Sequence, residues 1–367
     1  MKIQYVNLAN QYYLERKKLL KKIDKVLLKG NYVGGDEVDL FEKNIAKFCN
    51  TKYCIALNSG TDALVLALHT LGVRRGDEVI TTPNSFIAST AAIVHLGAVP
   101  VFVDVKKDQN IDPDKIEKKI TKNTKVIMPV HLTGRMCEMD KIMIIAKKYN
   151  LKVVEDAAQS IGSMFKGKKS GSYGHIGCFS AHPLKNLNAM GDSGYLTTNS
   201  KKISEHIKSL RNHGMANRNI VKNFGYVSRM DNLQAAILNF RLTSLKNIIK
   251  KRRENADLYF KYLDKNNIFF VEENNNEFNT YHTFVIQVNN RDKLKRYLLK
   301  KGIQTAIHYP IPIHFQPAAK KLNYKKGDFE ITERQAKRIL TLPINQSLKK
   351  DEIKFIARTV NSFFDDK

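Results

Sequence analysis

Short apolar runs alternate with longer amphipathic segments over much of the chain. Seven runs have strand-like compositions, at 53–57, 78–82, 99–103, 125–130, 152–155, 176–180 and 194–198. Helical patterns lie between most of them, at 62–72, 86–96, 113–120 and 138–149. Strands that alternate with helices predict an α/β fold, with a mostly parallel seven-stranded sheet sandwiched by helices.

The flanking segments predict further helices and a second, smaller domain. A basic amphipathic helix is predicted over 11–30, ending at Gly30, and another helix over 36–49. A long helical stretch over 231–264, bent near Thr243, leads to the C-terminal part. That part has strand-like runs at 269–271, 281–288 and 304–308, helical patterns at 291–301, 330–339 and 349–364, and a proline-containing loop at 309–317. We therefore expect a large domain over 1–245 and a small α/β domain over 246–367.

The composition is strongly basic. Sixty-two Lys and Arg residues against 35 Asp and Glu residues give a formal net charge of +27, which is enough to attract a polyanion nonspecifically. Most of the lysines follow amphipathic helices, however, and aromatic residues are not interleaved with them as in RNA-binding proteins. We therefore expect no specific nucleic-acid partner.

Other compositional features favour a cytoplasmic protein without a metal. The N-terminal residues contain no uninterrupted apolar segment of the signal-peptide kind, and the most apolar later stretch, 88–103, is broken by His95, Gly97 and Pro100. The four cysteines and ten histidines show no metal-ligand spacing. We expect no membrane contact, no disulfide and no metal site.

Three stretches contain the candidate chemistry. Lys185 is the centre of FSAHPLKNLNAMGDSG, a segment too irregular for a helix and too punctuated for a plain strand. The apolar run before Asp156 stops abruptly at acids, as at the carboxyl end of a buried parallel strand, while Glu155 alternates away and is expected to be structural. At Ser59, a short strand turns into a helix with Asp62 as the second member of a capping pair, and the free amides at such a helix start suit a phosphate.

A lysine, a buried acid and a phosphate-binding helix start are the parts that a pyridoxal phosphate enzyme needs. The lysine amine forms a covalent bond with the cofactor aldehyde, and the acid keeps the pyridine nitrogen protonated. The chain also resembles the DegT/DnrJ/EryC1/StrS family of sugar aminotransferases, from about residue 5 to about residue 364. The motifs that carry the resemblance are SGTDAL, PNSFIAS, PVHLTGR, VVEDAAQ, HPLKNLN, RNHG and IHYPIPIHFQP. The resemblance implies fold type I, with pyridoxal phosphate bound in the large domain.

The resemblance also assigns expected roles to individual residues. Lys185 and Asp156 are the expected catalytic residues; the alternative for Asp156 is an ordinary helix N-cap. The expected cofactor-binding residues are Gly60, Thr61, Phe86, Asp156, Gln159, Ser180 and Lys185. The expected substrate-binding residues are His131, His182, His308, Tyr309 and His314. A capped helix explains Gly60 and Thr61 equally well, Phe86 also suits a core position, and a satisfied core histidine is an equal alternative for His131.

The chain departs from the family pattern at a few positions. Val227 stands where the family commonly has an asparagine that reaches the neighbouring subunit's phosphate. Thr133, His175 and Ser193 replace a frequent tyrosine, aspartate and glycine, respectively. A lysine at position 185, rather than a histidine, argues against the dehydratase branch of the family.

These observations predict a pyridoxal phosphate-dependent aminotransferase. The expected partners are L-glutamate with 2-oxoglutarate, and a nucleotide-linked keto sugar, used in turn by a ping-pong mechanism. The family further implies a homodimer with shared active sites. The alternatives are an aminotransferase for a smaller phosphorylated ketone and a non-catalytic sensor or nucleic-acid-binding protein.

Overall fold

The computed structural model describes residues 2–365, and its central element is a seven-stranded sheet. The strands in sheet order are β1 (Tyr53–Leu57), β9 (Gly194–Thr198), β8 (Ile176–Ser180), β5 (Lys152–Asp156), β4 (Thr124–Ile127), β2 (Glu78–Thr81) and β3 (Val99–Phe102). Strand β9 runs antiparallel to both of its neighbours, whereas all other neighbouring pairs are parallel. The predicted seven-stranded, mostly parallel sheet is confirmed.

Helices cover both faces of this sheet. They are α1 (Leu8–Lys29), α2 (Asp36–Cys49), α3 (Gly60–Thr70), α4 (Ile87–His95), α5 (Met139–Lys148), α6 (Lys201–Leu210) and α7 (Asn232–Leu242). Strand β1 shows the two-sided burial, because Ile55 and Leu57 pack into one apolar core and Cys54 and Ala56 pack into another. This period of two is the geometry of a strand whose two faces are both buried.

Local signals in the sequence place several helix ends. Helix α1 ends at Gly30, which takes a left-handed backbone conformation with φ of 66°, as predicted. Helix α3 begins after Ser59, whose Oγ accepts a hydrogen bond of 3.0 Å from the Asp62 amide. The long helical stretch divides near Thr243 into α7 and α8 (Leu245–Tyr262), which confirms the predicted bend.

The C-terminal part has its own apolar core. Strands β13 (Phe284–Gln287) and β14 (Ile339–Leu342) pair antiparallel, and α9 (Arg291–Lys300), α10 (Glu330–Arg338) and α11 (Lys350–Asp365) complete this part together with α8. Helix α8 joins the two cores, since Leu245 lies in the core of the large sheet and Tyr259 in the C-terminal core. The division of domains at 245/246 stays a prediction.

The remaining strands are short: β6 (Met164–Phe165), β7 (Lys168–Lys169), β10 (Met215–Asn217), β11 (Ile220–Val221) and β12 (Glu277–Phe278).

The predicted strand over 269–271 contributes only a single bridge, from Phe269 to Gln287, and other elements also differ from the prediction. The predicted helix over 113–120 is a pair of 3-10 turns, Pro113–Lys115 and Glu117–Lys119, because this lysine-rich segment offers too little apolar surface to bury a longer helix. The predicted strand over 304–308 contributes a single bridge to β14. The buried apolar run of β14 was not predicted, although its four residues alone meet the strand pattern. Between residues 2 and 365, no helix is long and apolar enough to cross a membrane.

Candidate active site

A cavity of about 310 Å³ opens at the carboxyl edge of the parallel strands, which is where open α/β sheets bind their ligands. Strands β5 and β8 end in it, and helix α3 begins there. The opposite wall comes from the chain start and the C-terminal part. Ten of the twelve predicted site residues line this cavity: Gly60, Thr61, Phe86, Asp156, Gln159, Ser180, His182, Lys185, His308 and Tyr309.

Lys185 lies in a turn between β8 and β9. Its backbone amide donates a hydrogen bond of 2.8 Å to the His182 carbonyl, and this turn places the half-buried side chain at the cavity. Burial lowers the pKa of Lys185 to about 8, and the neighbouring Asp156 carboxylate opposes this shift. A substantial fraction of the amine is therefore neutral near physiological pH, as a nucleophile or a proton acceptor requires.

Asp156 is the last residue of β5 and is buried. Its Oδ2 accepts a hydrogen bond of 2.7 Å from the Ser89 hydroxyl, and its Oδ1 accepts one of 3.2 Å from the Ala158 amide. Burial raises the pKa of Asp156, while these two bonds and Lys185 oppose the rise. No helix begins after Asp156, since residues 157–163 form turns. The helix N-cap alternative is therefore wrong.

The start of α3 forms an anion-binding cradle beside Ser180. The Gly60 and Thr61 amides precede the first hydrogen bonds inside the helix, so they remain available to a ligand. A Cβ at residue 60 would lie 2.7 Å from the Ser180 Cβ, and the approach of the two segments therefore requires glycine. The cradle combines backbone donors with a serine hydroxyl, a donor set that suits a phosphate.

Two further side chains can contact a flat ring in the cavity. The Gln159 Oε1 accepts a hydrogen bond of 2.9 Å from the Thr133 amide, which orients the Gln159 amide group. Phe86 is 55% exposed despite its apolar ring, whose centroid lies 5.7 Å from that of Tyr309. Burial and Asp156 raise the pKa of Tyr309 to about 12, so its hydroxyl stays protonated at neutral pH. An exposed aromatic face inside a cavity is suited to stacking on a planar cofactor.

His182 and His308 face the same cavity from opposite walls. The His308 Nδ1 lies 3.0 Å from the Thr341 hydroxyl on β14, which fixes the ring. Burial and the Lys185 charge lower the pKa of His308 to about 4, so this imidazole is neutral at pH 7. A neutral imidazole can donate or accept a hydrogen bond to a sugar or carboxylate group.

The structure does not place His131 or His314 at the cavity. His131 is fully buried; its Nε2 lies 3.0 Å from the Glu155 carboxylate and its Nδ1 accepts from the Cys137 amide. The His314 ring is also enclosed, with its Nε2 3.2 Å from the Glu333 carboxylate. The expectation that these two histidines line the substrate side of the cavity is therefore wrong, because both rings are enclosed in the protein away from it.

Glu155 has the structural position expected of it. It is fully buried, and its two oxygens accept hydrogen bonds of 2.7–2.8 Å from the Gly171, Tyr173 and Gly174 amides. These bonds hold the loop before β8. Adjacent acids on one strand thus face opposite sides of the sheet, with Asp156 at the cavity and Glu155 in the interior.

Several cavity residues were not predicted from the sequence: Tyr5, Ser89, Arg252, His282 and Asn345. Ser89 follows Phe86 at the i+3 position, so the helical period of α4 could have indicated that both side chains lie on the cavity side. The others come from the chain start, α8 and the C-terminal part. Their local sequences carry no recognisable motif, and only the folded chain brings them to the cavity.

The residues present fit pyridoxal phosphate. Gly60, Thr61 and Ser180 would hold its phosphate, Asp156 its ring nitrogen, Phe86 its ring face and Lys185 its aldehyde carbon. The best evidence for this fit is the close approach of Gly60 to Ser180, which leaves the helix amides open to an anion within the cavity that contains Lys185.

Comparison with known proteins identifies the family. A profile of the DegT/DnrJ/EryC1/StrS aminotransferase family matches residues 14–361. The chain belongs to this family. A dTDP-3-amino-3,6-dideoxy-α-D-galactopyranose transaminase from Aneurinibacillus thermoaerophilus is 40% identical to it, over 98% of this chain and 99% of that protein. A UDP-2-acetamido-2-deoxy-3-oxo-D-glucuronate aminotransferase from Pseudomonas aeruginosa is 36% identical, over 98% of this chain and 100% of that protein.

Solved structures of other family members agree with the fold. DesV from S. venezuelae, crystallised with a ketimine intermediate, has a TM-score of 0.96 and 34% identity, over 99% of this chain and 98% of that chain. NtdA from Bacillus subtilis, with its bound cofactor PMP, has a TM-score of 0.92 and 34% identity, over 98% of this chain and 84% of that chain. The protein is a pyridoxal phosphate-dependent aminotransferase of fold type I.

Proposed function

We propose that this aminotransferase moves an amino group from L-glutamate to a keto group of a nucleotide-linked sugar. The arrangement of Lys185, Asp156 and the α3 start around one cavity carries the proposal, because these groups supply an amine, a buried acid and a phosphate cradle at one place. The relatives named for dTDP- and UDP-linked sugars support the choice of acceptor.

Each protein group has a distinct task in this reaction. When bound, pyridoxal phosphate supplies an aldehyde that accepts an amino group and a ring that withdraws electrons. Asp156 keeps a proton on the ring nitrogen. The Lys185 Nζ would accept the proton from the donor α-carbon and later return one to the acceptor carbon. Its lowered pKa suits it to transfer in both directions.

The donor and the acceptor share this cavity in turn. L-Glutamate leaves as 2-oxoglutarate before the keto sugar enters, so the enzyme follows ping-pong kinetics. The rival assignment is a smaller phosphorylated ketone as acceptor. The departures from the family pattern at Thr133 and Ser193 allow that rival, but the nucleotide-sugar assignment is preferred because relatives that match over nearly the whole chain are named for dTDP- and UDP-linked sugars.

We also propose a homodimer. The segment over 220–227 exposes apolar side chains, with Phe224 99% and Val227 56% exposed, and a second copy of the chain would cover them. Val227 cannot donate a hydrogen bond to the partner's cofactor phosphate, so Asn223 or Ser228 is the alternative donor. Ser228 is disfavoured because it is fully buried and donates a hydrogen bond of 3.1 Å to Asn58 in its own chain. We infer that the cofactor phosphate depends on Gly60, Thr61 and Ser180 of its own subunit.

Two half-reactions test the proposed function. L-Glutamate should convert the purified holoenzyme to its pyridoxamine form, measured by absorbance, with one equivalent of 2-oxoglutarate per site. The pyridoxamine form should then aminate one member of a panel of nucleotide-linked keto sugars, detected by mass spectrometry. Turnover of small keto phosphates only would establish the rival acceptor. No conversion with any amino donor would contradict transamination.

A further inference from the structure

Helix α1 leaves many apolar side chains uncovered on the side that faces away from the protein. Its inner side packs on α7, where Glu15 forms an ion pair with Arg241, and its Leu19 and Val26 are buried. Seven large apolar side chains of α1 are nevertheless exposed, more than on any other helix in the described part of the chain: Leu8, Tyr12, Tyr13, Leu14, Leu20, Leu27 and Leu28. Packing on α7 therefore does not account for the apolar residues of this helix.

The helical period collects five of these side chains into one face. Tyr13, Leu20 and Leu27 follow one another at seven-residue spacing, so they form one row along the helix. Leu14 and Leu28 lie about 100° further round the axis. Tyr13 is 77%, Leu14 72% and Leu28 81% exposed. These five side chains, here called the outer face of α1, form an apolar strip along a helix of 22 residues.

Lysines accompany the outer face along its whole length. Lys17, Lys18, Lys21, Lys22 and Lys25 are all exposed, and none of them forms a salt bridge within residues 2–365. By the helical period, Lys17 and Lys21 lie among the apolar side chains, and the other three lie beside them. The sequence of α1 contains two acids, and one of these is already bound to α7. The outer face therefore combines apolar surface with uncompensated positive charge.

We propose that the outer face of α1 binds the surface of a membrane that contains anionic lipids. A helix of this kind lies parallel to the membrane, with its leucines at the boundary of the acyl chains and its lysines against the lipid phosphates. Lysine suits this position because its aliphatic stem lies along apolar surface while its charge reaches the headgroups. The proposal goes beyond the proposed function, because it depends on neither the amino donor nor the acceptor.

The sequence alone predicted no membrane contact, since it contains no long apolar segment. That criterion concerns a helix that spans the membrane and does not test a helix that lies on its surface. A surface contact depends on which side chains the fold leaves uncovered, and the exposed leucines of α1 become evident only in the folded chain.

A second copy of the chain is a poorer occupant of the outer face. A closed dimer interface uses the same patch on both chains, so two outer faces would bring their lysines together. Like charges that approach each other disfavour such a contact. The proposed homodimer instead uses the apolar segment over 220–227, which contains a single lysine.

Nucleic acid is also a poorer occupant. Its phosphates would pair with the lysines, but its bases stack on aromatic or guanidinium planes. Four of the five side chains of the outer face are leucines. Leucine gains free energy by leaving water for an acyl boundary rather than by stacking. The combination of leucine and lysine therefore favours an anionic lipid surface.

Vesicle sedimentation tests this contact with the holoenzyme. Vesicles of phosphatidylcholine alone would be compared with vesicles of equal parts phosphatidylcholine and phosphatidylglycerol. We expect binding to the anionic vesicles to be at least about tenfold tighter, and to weaken as the salt concentration rises. Lys17→Gln, Lys18→Gln, Lys21→Gln and Lys22→Gln combined should weaken it about a hundredfold or more. A wild-type holoenzyme that sediments with neither kind of vesicle would overturn the proposal.

A charge-matched control separates α1 from the overall charge of the protein. Lys320, Lys321, Lys325 and Lys326 are also exposed and form no salt bridge in the described chain. Replacing these four with glutamine removes the same charge and should leave vesicle binding within about threefold of wild type. Equal losses in the two quadruple variants would mean that the net charge of +27 alone attracts the vesicles, and the assignment to α1 would be wrong.

Tryptophan fluorescence tests whether the outer face enters the lipid. The chain contains no tryptophan, so Leu28→Trp places a single fluorophore on this face. Its emission should shift to shorter wavelength when anionic vesicles are added. Leu299 is 62% exposed on α9, so Leu299→Trp is the matched control and should show no shift. An unshifted Leu28→Trp emission, or equal shifts at the two positions, would contradict the proposal.

Replacing two leucines tests the apolar part of the contact and its alternatives. Leu14→Gln combined with Leu28→Gln keeps every charge and should weaken vesicle binding at least about tenfold. Neither residue lines the cavity, so transamination and the melting temperature should match wild type. A changed subunit number with unchanged vesicle binding would show that a second copy covers this face. Binding of a short oligonucleotide that depends on the α1 lysines, without vesicle binding, would assign nucleic acid; either result refutes the membrane contact.

Discussion

The Asp156→Asn substitution should slow the donor half-reaction by about a hundredfold or more. Asp156 is buried, and its carboxylate accepts hydrogen bonds from Ser89 and Ala158 within the cavity that contains Lys185. Asparagine keeps the shape and one oxygen but removes the negative charge that favours a proton on the cofactor ring nitrogen. The electron-withdrawing capacity of the ring then falls.

The magnitude follows from the burial of this charge. A neighbouring opposite charge shifts the pKa of a titratable group by about 1–3 units, each unit is worth about 1.36 kcal/mol, and each 1.36 kcal/mol of barrier corresponds to a factor of about ten in rate. The retained bond from Ser89 offsets part of this loss. We therefore expect a decrease of about 10²–10³-fold in the single-turnover rate constant with saturating L-glutamate.

Stopped-flow absorbance measures this rate constant, and Glu155→Gln provides a matched control. Glu155 is the adjacent acid on β5, but it does not line the cavity. Its oxygens accept hydrogen bonds from the Gly171, Tyr173 and Gly174 amides. Glu155→Gln should lower the free energy of unfolding by about 1.5–3 kcal/mol while the rate constant of correctly folded enzyme stays within about threefold. An Asp156→Asn rate within threefold of wild type would refute the assignment of Asp156 to the ring nitrogen.

Three further predictions follow from the same geometry. Lys185→Ala should abolish multiple-turnover transamination and leave cofactor bound noncovalently, as measured by product formation and dialysis; normal turnover would contradict its role. Because burial lowers the pKa of Lys185 to about 8 and the neutral amine reacts, cofactor attachment to the apoenzyme, followed by absorbance, should speed up as pH rises to about 8 and then level off. A pH-independent rate between 6 and 8 would argue against this titration. Val227→Asn should tighten cofactor binding by no more than about tenfold, with a dimer by sedimentation in both proteins; a fully active monomer would overturn the shared-site proposal.

The sequence predicted the sheet well because its strands are buried on both faces. Such strands appear as short, nearly continuous apolar runs, and turns with Gly, Pro or a capping serine mark their ends. The segment over 113–120 was harder, because a lysine-rich amphipathic stretch forms a helix only if the fold offers a surface to cover it. Here it forms two 3-10 turns, and Ile116, which lies between them, is fully buried.

Strand alternation explains which site residues could be predicted. Asp156 and Val130 line the cavity, whereas their neighbours Glu155 and His131 face the interior and contact each other at 3.0 Å. The period of two along each strand therefore determines which polar residue reaches the site, and a register that is off by one residue exchanges them. His131 lies beyond the end of β4, so the strand pattern alone did not determine whether Val130 or His131 would face the cavity.

The opposite wall of the cavity was beyond local sequence patterns. Tyr5, Arg252 and Asn345 reach it from three distant parts of the chain, and none of them belongs to a motif that predicts such a contact. Arg252 lies among many basic residues on amphipathic helices, where a solvated position is the ordinary expectation. Only its burial and its lack of a carboxylate partner within residues 2–365 set it apart in the structure.

Reductive trapping tests the central claim most directly. Borohydride would be added to the holoenzyme before and after L-glutamate, and the digested protein would be analysed by mass spectrometry. The proposed role of Lys185 predicts a pyridoxyl group on the peptide that contains Lys185 before glutamate is added, and its loss afterwards. A pyridoxyl group on a different lysine, or a label on Lys185 that L-glutamate leaves unchanged, would contradict this role.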